Sequence, residues 1–355
     1  MMEIRGKRVA VTGGAGFIGS HLVDALLDRG NEVVVIDDFS SGSLENLIGR
    51  KDDQKLSVIE ADVIDSQAMD GGLEGVDYVF HLATRNVRIS LKLPTMVHDV
   101  NTTGTLNVLK AAARAGVKRL LYCSSSEVNG SATIVPMAED YIYRPETIYG
   151  ASKLAGEYYA QVFHRAGWLE TVIARPHNNY GPREHYEGFK GEVIPRFILQ
   201  ALGGKPPTIY GDGSQTRDFT FVTETVDYLI RLTEADQAMG ETYNVCRGEE
   251  VSIKDIATSI GTLTGLAIPA VFLPSRPADV LRLYGDNRKL KALLGNAPSI
   301  SIEDGLARTI AWFRKHVSMS AATLESLQGE NWSQTPPEAW LDEVQAQQAH
   351  AARKH

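Results

Sequence analysis

Little in this chain would cross-link or anchor it. Only two cysteines, Cys123 and Cys246, occur in 355 residues. That count excludes a disulfide-built scaffold and suits a reducing compartment; Cys123 falls in an apolar strand pattern and reads as a buried free thiol. No apolar run approaches the roughly 20 residues of a membrane span. The opening M-M-E-I-R-G-K leads into a strand without the apolar core of a signal peptide. A cytoplasmic protein with no membrane contact is expected. An excess of positive charge is missing too. Lys and Arg number 36 against 44 Asp and Glu, for a net charge of −8 and a pI near 5.6. Nucleic acid needs a basic face, so a nucleic-acid partner is not expected. An anionic ligand must be met by local arginines. No His/Cys/acid cluster has metal-ligand spacing, and no internal repeat is present.

What remains is ordinary globular composition, 43% hydrophobic and 23% charged. It is long enough for one large α/β domain or two lobes. Short runs rich in Val, Ile, Leu and aromatics occur at 8–12, 32–37, 56–60, 78–83, 119–124 and 171–175. Helical periodicity occupies 17–27, 100–115 and 149–166. This alternation predicts a doubly wound parallel sheet. Beyond Pro176 the texture changes to H-N-N-Y-G-P-R-E-H-Y-E-G-F-K-G-E and then shorter elements at 193–202, 219–222, 225–233, 243–246 and 253–266. Dense Gly and Pro punctuation there predicts a smaller mixed α/β lobe. An amphipathic helix at 302–316 closes it. The expected division is 1–176 for the sheet domain, with some later segments returning to it, 177–317 mainly for the second lobe, and 318–355 for a polar tail. Pro336 and Pro337 could start a last helix through Trp340 and Leu341.

The first strand runs into G-G-A-G-F-I-G and then a helix. Gly13, Gly16 and Gly19 permit a tight turn and close approach of a pyrophosphate to the helix N-terminus, with Phe17 and Ile18 in the first turn. Asp37 ends the next strand about 20 residues on, where an acid accepts hydrogen bonds from an adenosine ribose. Asp38 follows it. No Arg or Lys lies between Thr12 and Ser20, which favours NAD over its 2′-phosphorylated form. Asp62 and Val63, after the third strand, suit the adenine edge; a strand-end cap is the alternative for Asp62. The fold class is thus α/β, a Rossmann-type doubly wound parallel sheet with a smaller mixed α/β substrate lobe.

Tyr149 and Lys153, spaced i, i+4 at a helix start, share one face. An ammonium beside a phenol stabilises the phenolate, which becomes a usable base for a sugar hydroxyl. C-S-S-S-E, Cys123 to Glu127, ends a parallel strand, where ligand crevices lie. With H-L-A, V-N-G, A-R-P-H-N-N-Y-G-P-R and G-D-G-S-Q-T-R-D-F, the ordered set resembles the extended short-chain dehydrogenase/reductases. It is most similar to NAD-dependent sugar-nucleotide epimerases and dehydratases, over roughly residues 7–314.

The resemblance implies NAD as cofactor, with Gly13, Gly16, Gly19 and Asp37 at its positions and Ala83 and Asn101 near the nicotinamide. It implies Ser125, Tyr149 and Lys153 as the catalytic set. Asn178, Arg217, Arg276 and Asp279 fall where the family holds the diphosphate and nucleoside of the substrate; arginine suits a diphosphate because its fork is bidentate. Thr84, Arg88, Ser126 and Val193 complete the expected substrate contacts. Departures are Asn129 for the usual tyrosine of V-Y-G, Thr84 for an alanine, and a loop T-R-N-V-R-I-S one residue short. Arg85, Arg88 or Arg183 could meet a uronate carboxylate; a solvated loop charge is the other reading. The implied function is 4-epimerisation of a nucleoside-diphosphate sugar, UDP-glucose or UDP-glucuronate, through a transient 4-keto sugar. Glu127 supports a rival, a UDP-glucuronate decarboxylase or 4,6-dehydratase. A catalytically silent NAD-binding protein is the reading from outside enzymology. A homodimer through the helices at 100–115 and 149–166 is expected from the resemblance.

Overall fold

The computed structural model describes residues 3–188, 191–266, 268–275, 280–295 and 300–327. Six parallel strands rise in sequence: β1 (Arg8–Thr12), β2 (Glu32–Asp37), β3 (Leu56–Glu60), β4 (Tyr78–His81), β5 (Arg119–Cys123) and β6 (Glu170–Pro176). Short strands follow: β7 (Asn178–Tyr180), β8 (Thr208–Tyr210), β9 (Thr216–Arg217), β10 (Phe219–Phe221), β11 (Thr242–Val245), β12 (Val251–Ser252), β13 (Val271–Leu273) and β14 (Arg282–Leu283). The main sheet has seven strands in the order β11-β6-β5-β4-β1-β2-β3. The order reverses between β1 and β4, and that switch point opens a crevice at the carboxyl ends of the strands.

The expected strands are present with shifted ends. The fourth stops at His81, because Leu82–Thr84 turn into the crevice. The helix expected over 100–115 is interrupted. Asp99–Gly104 is π-helical and only Thr105–Arg114 (α5, after α1 to α4 below) is α-helical. The bulge seats Gly104 against Val63, where any Cβ would stand 2.4 Å from the Val63 side chain.

The remaining helices of the first half are α1 (Phe17–Asp28), α2 (Ser66–Gly72), α3 (Val87–Ser90), α4 (Pro94–His98) and α6 (Ile148–Arg165). The second half adds α7 (Val193–Leu202), α8 (Val222–Glu234), α9 (Ile253–Thr264), α10 (Arg288–Leu294) and α11 (Ile302–His316). One face of the sheet packs Leu22, Leu26, Val33 and Phe80 with Leu229 and Leu232 of α8. The other packs Ile36, Val79 and Leu120 with Val108, Ala112 and Ala160. So α8 and β11, which the sequence pattern grouped with the second lobe, cover and extend the main sheet. A separate core of Ile194, Phe197, Ile198, Ile256, Ile260, Leu306 and Phe313 holds the second lobe together. The helix expected at Pro336–Leu341 lies outside the described residues.

Helix α6 is capped by Thr147, whose side chain accepts from the Gly150 N–H at 3.0 Å. Its inner face carries Lys153, Gly156, Glu157 and Ala160. Gly156 lets the helix press on β5, since a Cβ there would meet the Tyr122 hydroxyl at 2.2 Å. One turn on from Lys153, Glu157 accepts from Nε–H and Nη2–H of Arg175 at 2.7 Å each, and from the Ser124 hydroxyl at 2.5 Å. Both charges are fully buried. Arg175 is completed by the Glu139 carbonyl and the Tyr143 hydroxyl. Removing one member of such a pair strands a buried charge at a cost of about 3–5 kcal/mol. Arg175→Met should therefore lower the urea midpoint by that amount of stability, and adding Glu157→Leu should restore part of it. A double variant no more stable than the single one would refute this account.

Candidate active site

The crevice holds a cavity of about 330 Å³ that runs from the β2 and β3 ends to the start of α6. At one end lie Gly13, Gly16, Phe17, Ile18 and Gly19. Gly13 has φ +70°, and a Cβ on it would stand 2.7 Å from the Ala83 N–H nitrogen. Gly16 caps α1 with no side chain on the cap, so the first-turn N–H groups face the cavity unscreened. An open, side-chain-free helix N-terminus fits a pyrophosphate. Asp37 sits at the β2 end and takes the Ala15 and Phe39 N–H groups at 2.9 Å each. Burial raises its pKa against those bonds. It therefore both pins the glycine turn and keeps lone pairs for a ribose. Asp38, Asp62, Val63 and Ala83 also line this end. The residues present fit a dinucleotide.

At the other end Ser125, Ser126, Glu127, Tyr149 and Lys153 converge. The Ser125 hydroxyl hydrogen-bonds the Tyr149 phenol and accepts from the Glu127 N–H at 3.2 Å. Burial pushes the Tyr149 pKa up, and Ser125 opposes that shift. Lys153 is buried with its ammonium 4.7 Å from the Tyr122 ring centre. Desolvation lowers its pKa to about 8. Behind them His81 bridges the Thr12 and Thr105 hydroxyls at 2.6 and 2.9 Å and is kept neutral by burial, its pKa lowered to about 3.

Several expected residues are elsewhere. Asn101 does not line the cavity. Its amide bonds Thr84, the Arg85 backbone and Ser152, so it holds the 83–88 loop against α6. Thr84 and Asn178 do line the cavity, and the Asn178 Oδ1 is buried without a partner. Arg88 lies behind the wall, forked onto Glu192 at 2.6 and 2.8 Å. Val193 starts α7 beside Glu192, off the wall. Arg217 turns its guanidinium to the Thr216 and Val280 carbonyls. Arg276 and Asp279 lie outside the described residues. Periodicity missed Ser40, Ser41, Gly42, His177, Glu184, His185, Glu192 and Leu283, which also line the cavity. All but Leu283, which ends β14, sit on loops, where only the Gly/Ser/polar composition gave a signal. The three arginines noted as carboxylate partners are each already paired, Arg85 with Asp38, Arg88 with Glu192 and Arg183 with Asp24. Glu184 is buried and its pKa is raised well above the usual range by burial, then by Glu192.

Sheet, glycine turn and Tyr/Lys/Ser set define a dinucleotide-dependent enzyme of short-chain dehydrogenase/reductase type. Residues 9–246 match the NAD dependent epimerase/dehydratase family, and the chain belongs to it. NAD is the cofactor of that family. The UDP-glucose 4-epimerase of Mycolicibacterium smegmatis is 36% identical over 311 residues, 86% of this chain and 98% of that protein. The UDP-glucuronic acid decarboxylase 1 of Xenopus tropicalis is 36% identical over 321 residues, 89% of this chain and 74% of that protein. A UDP-N-acetylglucosamine 4-epimerase from Methanobrevibacter ruminantium, solved with UDP-N-acetylmuramic acid, superposes with a TM-score of 0.83 at 34% identity. It spans 88% of this chain and 99% of that one.

The Lys153 shift has a sign that can be tested. Its native pKa lies below the 10.5 of an ordinary lysine. Between about pH 8 and 10.5 the unfolded chain binds the extra proton, so stability should rise with pH across that window. Unfolding of the parent and of Lys153→Met by urea at pH 8 and pH 9.5 reads this out. An equal pH slope in both proteins would remove Lys153 as the cause.

Proposed function

We propose that the chain is a nucleoside-diphosphate-sugar 4-epimerase acting on a neutral UDP-hexose such as UDP-glucose. The observation that carries this reading is the convergence of Ser125, Tyr149 and Lys153 at one end of a dinucleotide crevice, with Arg85 on its wall and Arg88 and Arg183 off it each already paired with a carboxylate. When bound, NAD supplies a hydride acceptor that becomes the donor in the return step. The chain's own residues manage the proton. Tyr149 accepts it from the C4 hydroxyl, with Ser125 bridging, and gives it back to the 4-keto sugar after the sugar presents its other face. Lys153 holds positive charge beside the phenol and favours its ionised form.

The family also contains decarboxylases and dehydratases, and Glu127 beside Tyr149 favours that second reading. Loss of carbon dioxide from UDP-glucuronate needs a cation for the carboxylate. Arg85, Arg88 and Arg183 each meet an acid already, which argues for the neutral sugar. A panel of UDP-, GDP- and dTDP-sugars, UDP-glucuronate included, analysed by mass spectrometry and NMR decides it. Unchanged mass with inverted C4 is expected. Loss of 44 or 18 mass units, about those of carbon dioxide and water, would make Glu127 the centre of the mechanism. Tyr149→Phe should lower kcat by about 10²–10⁴-fold, and retained activity would sink the proposed chemistry.

A homodimer through α6 and its neighbour α4 is part of the same reading. Tyr158 and Val162 on α6 and Leu91, Leu93 and Met96 around α4 are exposed apolar side chains, whereas α5 turns Lys110 and Arg114 outward. Tyr158→Glu/Val162→Glu should shift sedimentation velocity from dimer to monomer; a parent that sediments as a monomer would exclude the dimer.

A further inference from the structure

The Arg85 side chain is nine-tenths buried yet lines the cavity, and its partners are all at the adenosine end. One arm meets Asp38 Oδ2 at 2.5 Å and Asp62 Oδ2 at 3.5 Å; the other meets Asp38 Oδ1 at 3.3 Å and the Ser40 hydroxyl. Its Nε–H is buried with no partner. The backbone of Arg85 is fixed from behind, where Asn101 takes its N–H at 2.7 Å and gives to its carbonyl at 3.0 Å. The guanidinium thus spans the ends of β2 and β3 from the loop after β4.

We infer that Arg85 is an adenosine-binding residue of the NAD site, its guanidinium plane set against the adenine and its charge offsetting the acids around the ribose. Three carboxylates, Asp37, Asp38 and Asp62, line this end of the cavity. Left uncompensated they would repel a ligand that carries a pyrophosphate. One cation shared between Asp38 and Asp62 removes most of that cost and leaves Asp37 to the ribose. Arginine also offers what lysine lacks, a flat weakly hydrated face that stacks on a nitrogen heterocycle. Asp38 is ionised to match: burial opposes its charge, but the Arg85 and Ser40 hydrogen bonds hold its pKa below the usual value. The inference rests on the NAD site alone and is independent of the reaction performed on the sugar.

Calorimetry on cofactor-stripped protein with ADP-ribose tests it, together with the NAD retained per chain after purification. Arg85→Ala should weaken ADP-ribose about tenfold and lower the retained NAD. Arg85→Lys should recover the charge but stay about threefold weaker than the parent, for want of the planar face. The melting temperature of stripped Arg85→Lys should stay at the parent's, while that of Arg85→Ala should fall because Asp38 and Asp62 lose their cation. An Arg85→Ala affinity within twofold of the parent would overturn the inference. So would full recovery in Arg85→Lys, or losses that follow a fall in melting temperature across both variants, since that would make the residue a loop support only.

Discussion

The buried ion pair between Glu157 and Arg175 is the constraint on which the rest of the site depends. Tyr149, Lys153 and Glu157 recur every four residues on α6, so the face that lines the cavity is the face that carries the bond. Arg175 is fixed in β6, and Ser124, next to Ser125, is held by the same carboxylate. One carboxylate therefore sets the distance between the helix, the β5 end and the β6 end. Gly156 makes this close approach possible by leaving room for the Tyr122 hydroxyl. Two charges out of water are expensive to keep. They persist here as a bidentate pair with further hydrogen bonds on both members.

The same economy of charge runs along the cavity. Acids crowd both ends: Asp37, Asp38 and Asp62 at the β2 and β3 ends, and Glu127, Glu184 and Glu192 toward α6 and α7. Arginines offset them locally, Arg85 at one end and Arg88 at the other, each bound to an acid from a distant segment. Arg88 ties α3 to the cap of α7, 104 residues away, and so joins the sheet to the second lobe. At the other end Lys153 lies 4.7 Å from the Tyr122 ring centre, without a carboxylate of its own in hydrogen-bonding range among the described contacts.

Much of this was legible in the chain itself. Strand and helix alternation, the Gly13/Gly16/Gly19 turn, Asp37 and the Tyr149/Lys153 pair are local patterns, since glycine tolerance of positive φ and the i, i+4 helix period act within a few residues. The membership of α8 and β11 was not. Their apolar faces satisfy either lobe, and only packing against α1 and β6 selects one. Asn101 read as a cofactor contact because of its motif; the π-helical turn at Asp99–Gly104 directs its amide to Arg85 and Ser152 instead.

What the sequence determined alone is the class of enzyme and its cofactor, because those rest on short motifs whose geometry the backbone enforces locally. What tertiary structure decided is the state of each charge. Arg85, Arg88 and Arg183 look alike in a polar loop. Their partners Asp38, Glu192 and Asp24 lie 47, 104 and 159 residues away. Coulomb attraction depends on distance through space and on burial, and neither can be read from separation along the chain.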